Sequence, residues 1–209
     1  RTRIDWMEDM QFTKDGYYVI RDMDGWQNIY YQSFDGKTFR KVTTGRNWGT
    51  QFIKVDEKGG YIYYTARKET SLRYDFYKVS LKDLEMHRDG SFKTGEITRL
   101  TRGPYNWTDI KLSPDNKYFS AIRSNCNTPH QLVVSTCDGK AGEKIVWDCK
   151  GYLYDTYLLP EQEILTINVD GYTIPARVIW PVNMDVNKKY PVIIDMYGGP
   201  DAGTVFDQF

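Results

Sequence analysis

Gln11-Phe12-Thr13-Lys14-Asp15-Gly16-Tyr17-Tyr18-Val19-Ile20-Arg21-Asp22-Met23-Asp24-Gly25-Trp26-Gln27-Asn28-Ile29-Tyr30-Tyr31-Gln32-Ser33-Phe34-Asp35-Gly36-Lys37-Thr38-Phe39-Arg40-Lys41-Val42-Thr43 is the stretch that decides the fold class. Runs at 11–13, 17–20, 28–32 and 39–43 are rich in aromatic and β-branched residues, which suit a half-buried pleated surface. Asp-Gly dipeptides at 15–16, 24–25 and 35–36 separate them. Asp-Gly supplies the positive φ that a tight hairpin turn needs. Four strands joined by three such turns predict one antiparallel meander.

The same unit recurs downstream. Gln51-Phe52-Ile53-Lys54-Val55, a Gly59-Gly60 turn, Tyr61-Ile62-Tyr63-Tyr64-Thr65, Asp75-Phe76-Tyr77-Lys78-Val79 and Glu96-Ile97-Thr98-Arg99-Leu100-Thr101 make a second set. A third begins at Thr108-Asp109-Ile110-Lys111-Leu112, turns at Ser113-Pro114-Asp115-Asn116, and runs on to Lys144-Ile145-Val146-Trp147. The junctions carry a shared marker, Thr-x-Gly followed by Trp: Thr44-Gly45-Arg46-Asn47-Trp48, and Thr101-Arg102-Gly103-Pro104-Tyr105-Asn106-Trp107, with Trp6 before the first unit. A four-stranded unit repeated at roughly 40–60 residues is the mark of β-propeller blades. A β-sandwich also uses short strands and tight turns, and pattern alone leaves it open. The polar segment 80–95 is expected to be a long hairpin loop in the second unit, with room for a helical turn.

Beyond Gly151 the character changes. Residues 151–160 read as a crossover linker. Glu163-Ile164-Leu165-Thr166-Ile167-Asn168-Val169 and Tyr172-Thr173-Ile174-Pro175-Ala176-Arg177-Val178-Ile179-Trp180 flank an Asp170-Gly171 turn. Val192-Ile193-Ile194-Asp195-Met196-Tyr197 is apolar without alternation, as a strand covered on both faces is, and Gly198-Gly199-Pro200 follows it. The predicted organisation is mainly β: about three antiparallel four-stranded blades of an incomplete propeller over 1–150, then a linker and the first strands of an α/β-hydrolase domain, truncated, over 151–209.

Composition excludes several function classes. The 209 residues carry 28 basic and 28 acidic side chains and no net charge, so nothing points to nucleic acid or a polyanionic partner. No stretch has the apolar length of a membrane helix. Cys126, Cys137 and Cys149 form no CxxC pair, so they are expected to be buried or incidental thiols, with no metal site. No Walker or Rossmann glycine pattern accompanies Gly198-Gly199, and no cofactor is expected.

Asp170-Gly171, Ile174-Pro175, Trp180-Pro181, Lys189-Tyr190-Pro191-Val192-Ile193-Ile194 and Tyr197-Gly198-Gly199-Pro200 together resemble the start of the catalytic domain in the prolyl oligopeptidase family of serine peptidases. The upstream units are most similar to the dipeptidyl peptidase IV branch, through Asp22-Met23-Asp24-Gly25-Trp26-Gln27-Asn28-Ile29-Tyr30-Tyr31, the Thr-x-Gly and Trp junctions, Tyr61-Ile62-Tyr63-Tyr64-Thr65-Ala66 and the ending Thr204-Val205-Phe206. The resemblance implies a parent enzyme that releases Xaa-Pro or Xaa-Ala dipeptides from peptide N-termini, with a Ser nucleophile, a His base and an orienting Asp. It also implies that Tyr197 donates its hydroxyl to the oxyanion, where a neutral donor stabilises developing charge.

Other parts of that machinery do not appear here. The chain has no Gly-x-Ser-x-Gly elbow, and its two histidines, His87 and His130, lie upstream of the hydrolase strands and are expected at the surface. The piece is therefore expected to be inactive by itself. Asp5-Trp6-Met7-Glu8-Asp9 matches only superficially the branch's amine-binding Glu pair. Trp6 is either a junction aromatic or a residue lining the peptide pocket. The resemblance places the parent in the periplasm or outside the cell and allows a homodimer. Two alternatives remain open at this level: another peptidase of the family, of acylaminoacyl or oligopeptidase type, and a non-enzymatic propeller that binds proteins through loop aromatics such as Trp48 and Trp107.

Overall fold

A computed structural model describes residues 9–140, 142–199 and 203–209. Three antiparallel four-stranded sheets follow one another along the chain. The first contains β1 (Gln11–Phe12), β2 (Gly16–Arg21), β3 (Asn28–Ser33) and β4 (Phe39–Lys41), paired in chain order. The second contains β5 (Trp48–Asp56), β6 (Tyr61–Arg67), β7 (Asp75–Ser80) and β10 (Ile97–Arg99). Between β7 and β10 a small hairpin, β8 (Glu85–Met86) with β9 (Phe92–Lys93), replaces the helical turn that 80–95 had room for. The third contains β11 (Asn106–Leu112), β12 (Tyr118–Asn125), β13 (Thr128–Thr136) and β14 (Lys144–Asp148).

Packing separates the two architectures that pattern left open. A sandwich has one core between two sheets. Among the described residues there are two cores, one on each face of the second sheet. Alternation along its strands feeds both. Ile62, Tyr64, Ala66, Tyr77 and Val79 turn towards Tyr18, Ile20, Ile29 and Val42 of the first sheet. Tyr63, Phe76 and Leu100 turn the other way, towards Trp107, Phe119, Ala121 and Val133 of the third. Sheets stacked face to face in sequence, each burying both faces where it has two neighbours, are what propeller blades require. Leu84, from the segment before the small hairpin, joins the first core, and Phe92 meets the ring of Phe39 edge-on at 5.8 Å.

The junction marker has a structural cause. In the first sheet Thr43 Oγ1 accepts the Ile29 N–H at 2.8 Å and donates to Asn28 Oδ1 at 3.1 Å. In the second, Thr101 Oγ1 accepts the Phe76 N–H at 3.1 Å and donates to Asp75 Oδ1 at 2.8 Å. Both threonines are buried, and each hydroxyl satisfies a backbone donor while giving the neighbouring Asn28 or Asp75 oxygen one of its donors. The threonine of the first marker is thus Thr43, with Thr44 as its variable neighbour. Gly45 and Gly103 both take positive φ at the third position. The turns repeat as well: Ser33 with Asp35, Ser113 with Asp115 and Thr136 with Asp138 each bond side chain to side chain at 2.5–2.7 Å.

After the third sheet, residues 151–160, read from the sequence as a crossover linker, contain a short helix, α1 (Tyr152–Thr156). The hairpin around Asp170-Gly171 forms as β15 (Gln162–Val169) and β16 (Tyr172–Ile179), in unbroken register from Gln162↔Ile179 to Val169↔Tyr172. The strand expected at 192–197 does not form. Val192, Ile193, Ile194 and Met196 are at least 79% exposed and carry no ladder. An apolar strand of this kind is stable only between neighbours that pair with it and cover it, and among the described residues none lies alongside.

Candidate functional site

Tyr197 stands in the irregular segment that ends in Gly198-Gly199, with its side chain 67% exposed. The ring folds back over Gly199: a Cβ there would fall 2.6–2.7 Å from the ring atoms and hydroxyl of Tyr197. The glycine therefore leaves room for the tyrosine ring and hydroxyl to lie across the loop. Trp6 lies outside the described residues, as does most of the Asp5–Asp9 string.

Three attachments hold the surrounding chain to the sheets. The first is at the start of β15. Asn127, in the turn between β12 and β13, donates to Gln162 O at 2.7 Å and accepts the Gln162 N–H at 3.0 Å. Gln162 Nε2 returns a bond to Cys126 O at 2.8 Å. The second is residues 203–209. Asp207 N–H donates to Leu72 O at 3.1 Å and Asp207 Oδ1 accepts the Cys126 N–H at 2.9 Å. The third is aromatic: the Arg67 guanidinium sits 5.2 Å from the ring centres of both Tyr74 and Phe206. Asn127, Gln162, Asp207 and Arg67 carried no signal in the sequence, because the contacts Asn127–Gln162, Cys126–Asp207 and Arg67–Phe206 join positions far apart in the chain.

Electrostatics in the blades is structural in character. Burial pushes the Cys137 thiol up to about 11, with Lys78 pulling the other way. Burial also pushes the Asp75 carboxyl up, opposed by Arg99 and Thr101. Among the described residues no group of three or more His, Cys, Asp or Glu is placed to hold a metal ion. No helix of the described residues is long and apolar enough to cross a membrane. His87 and His130 are exposed, as expected. The two aromatics offered for protein contact are strand residues: Trp107 is 1% exposed in the second core, and Trp48 is half-buried edge-on against Trp26 at 4.8 Å. Trp107 supplies no contact surface, because the sheet stacking that makes the cores consumes its ring.

A family model described as the dipeptidyl peptidase IV (DPP IV) N-terminal region matches residues 3–130. A probable dipeptidyl peptidase 4 from Arthroderma benhamiae is 31% identical over 193 residues, spanning 90% of this chain and 24% of its own length. A probable dipeptidyl-aminopeptidase B from Uncinocarpus reesii is 31% identical over 202 residues, spanning 93% of this chain and 21% of its own. The chain thus spans about a quarter of the length of these curated relatives. The crystal structure of Porphyromonas gingivalis dipeptidyl peptidase 4 shares the fold, with a TM-score of 0.76 at 22% identity over 99% of this chain and 29% of that one.

Proposed function

The chain belongs to the dipeptidyl peptidase IV N-terminal region family, and from that premise we propose that it is the propeller-and-junction part of a serine dipeptidyl peptidase that releases Xaa-Pro or Xaa-Ala dipeptides from free peptide N-termini. One observation carries the reading: a single chain joins the family's blades over 3–130 to the ordered string Asp170-Gly171, Trp180-Pro181, Tyr190-Pro191 and Tyr197-Gly198-Gly199-Pro200. We assign 1–150 to the propeller and 151–209 to the linker and the opening of the hydrolase domain.

In this reading the blades restrict access to the reaction centre and Tyr197 serves it directly. When a nucleophile adds to the scissile carbonyl, negative charge develops on the oxygen. A neutral phenolic donor placed there bonds the oxyanion more strongly than the ground-state carbonyl, so it lowers the barrier without tightening substrate binding. The exposure of Tyr197 and its contact with Gly199 support assigning it as that donor. The nucleophile and its base are not supplied by these 209 residues: they contain no Gly-x-Ser-x-Gly, and both histidines sit on the propeller surface. The chain alone is therefore inactive. Secretion or a periplasmic location, and a homodimeric parent, belong to the same proposal.

Tyr197→Phe in the full-length protein tests the assignment. Turnover of a Gly-Pro reporter should fall about a hundredfold, the scale of one oxyanion donor, with KM little changed. Unchanged turnover removes Tyr197 from the mechanism.

A further inference from the structure

Residues 203–209 form no regular element, yet Asp207 binds two sheets at once. Its N–H donates to Leu72 O at 3.1 Å, in the loop that leads into β7. Its Oδ1 accepts the Cys126 N–H at 2.9 Å, in the turn between β12 and β13. Its Oδ2 faces Arg73 Nη1 at 3.6 Å, and the carboxylate is only 13% exposed. The neighbours of Asp207 are held too. Phe206 lies on the Arg67 guanidinium at 5.2 Å, Asn106 Nδ2 donates to Gln208 Oε1 at 3.3 Å, and Arg177 Nη1, from β16, donates to Gln208 O at 3.1 Å. Burial first, and the adjacent carboxylate of Asp207 second, push the Cys126 thiol up.

We propose that Asp207 is a positioning residue: it pins the chain that follows Tyr197-Gly198-Gly199 to the second and third blades, so that the propeller itself helps to set where the Tyr197 hydroxyl stands. This rests on the dipeptidyl peptidase reading above. An oxyanion donor is effective only when its position is fixed before the reaction. Tyr197 sits on a segment with no ladder of its own, so its freedom has to be removed by what the chain binds on either side. Asp207, a short way downstream, supplies a charge-assisted bond to the backbone of buried Cys126, and such bonds are the stronger and more directional class.

The test uses the full-length protein with Asp207→Ala and Asp207→Asn, each made with and without Tyr197→Phe. Asp207→Ala should lower kcat on a Gly-Pro reporter about tenfold while KM stays within about twofold. Asp207→Asn keeps an oxygen for the Cys126 N–H and should recover most of that loss. In the Tyr197→Phe background, Asp207→Ala should cost little more, because it acts through the missing hydroxyl. Unchanged kcat in Asp207→Ala, or losses that multiply in full in the double variant, overturns the proposal. Hydrogen exchange in the full-length protein decides the anchor separately: the Cys126 amide should be protected in the wild type and fast in Asp207→Ala, and equal exchange overturns it. If the wild-type enzyme cleaves no Gly-Pro reporter, the dipeptidyl reading fails, and the exchange result still stands for or against the anchor.

Discussion

Replacing Asp75 with asparagine exchanges a buried carboxylate for the side chain that the first blade already uses at the equivalent position, Asn28. Asp75 is 1% exposed, and its Oδ1 accepts from Thr101 Oγ1 and Arg99 Nη2, both at 2.8 Å. Burial pushes its carboxyl above the ordinary range even though Arg99 and Thr101 pull it down, so this site disfavours the charge it holds. An amide keeps an acceptor for Thr101 and sheds the desolvation cost, while losing an ion pair whose arginine is partly in solvent. Asp75→Asn should therefore lie within about 1 kcal/mol of wild type at pH 7. Asp75→Ala removes the acceptor of a buried hydroxyl and should cost about 2–3 kcal/mol. Urea unfolding followed by tryptophan fluorescence measures both. The pH dependence carries a definite sign. The folded state holds the Asp75 proton more tightly than the unfolded chain, so this group's contribution to wild-type stability rises as pH falls through the raised folded pKa. The asparagine variant lacks that term, and any advantage it has at pH 7 should shrink on acidification. A loss in Asp75→Asn as large as in Asp75→Ala, or an advantage that grows in acid, would refute the reasoning.

Two further outcomes follow from the cores and the thiols. Phe76 is fully buried, 5.0 Å from the ring of Phe119 across the second core, and Phe76→Ala should destabilise the chain by about 3–5 kcal/mol in the same urea assay. A cost below 1 kcal/mol would mean that the second and third sheets are not packed as described. Alkylation at pH 8 should label half-buried Cys149 well before Cys137, whose thiol burial raises to about 11. Peptide mapping that finds Cys137 labelled first would contradict its burial.

The blades were legible in the sequence because local signals agreed there. Asp-Gly turns, aromatic and β-branched runs, and the Thr-x-Gly and Trp junctions each pointed to the same strands. Even the junction's purpose follows once Thr43 and Thr101 are seen to close Asn28 and Asp75. The helix at Tyr152–Thr156 was missed, being five residues with no capping side chain and no apolar periodicity. The run Val192-Ile193-Ile194-Asp195-Met196 was composed like a covered strand, but composition cannot supply the neighbours that make one. Tyr197 stands out in the sequence through the motif Tyr197-Gly198-Gly199-Pro200, and its role is the proposal above. Asp207, Asn127, Gln162 and Arg67 do not stand out, since their partners lie far away in sequence and their residue types are ordinary at a surface. The junction marker does not say which side of the sheet Trp107 faces, so the sequence leaves a contact role open that its burial in the second core excludes.

The proposed parent is a peptidase that reads a free N-terminus. The most direct test is the initial rate of the full-length protein on a Gly-Pro reporter beside the same reporter with its amine acetylated. Rapid release from the free substrate and little from the blocked one is the expected result. Equal or faster cleavage of the blocked reporter would contradict it.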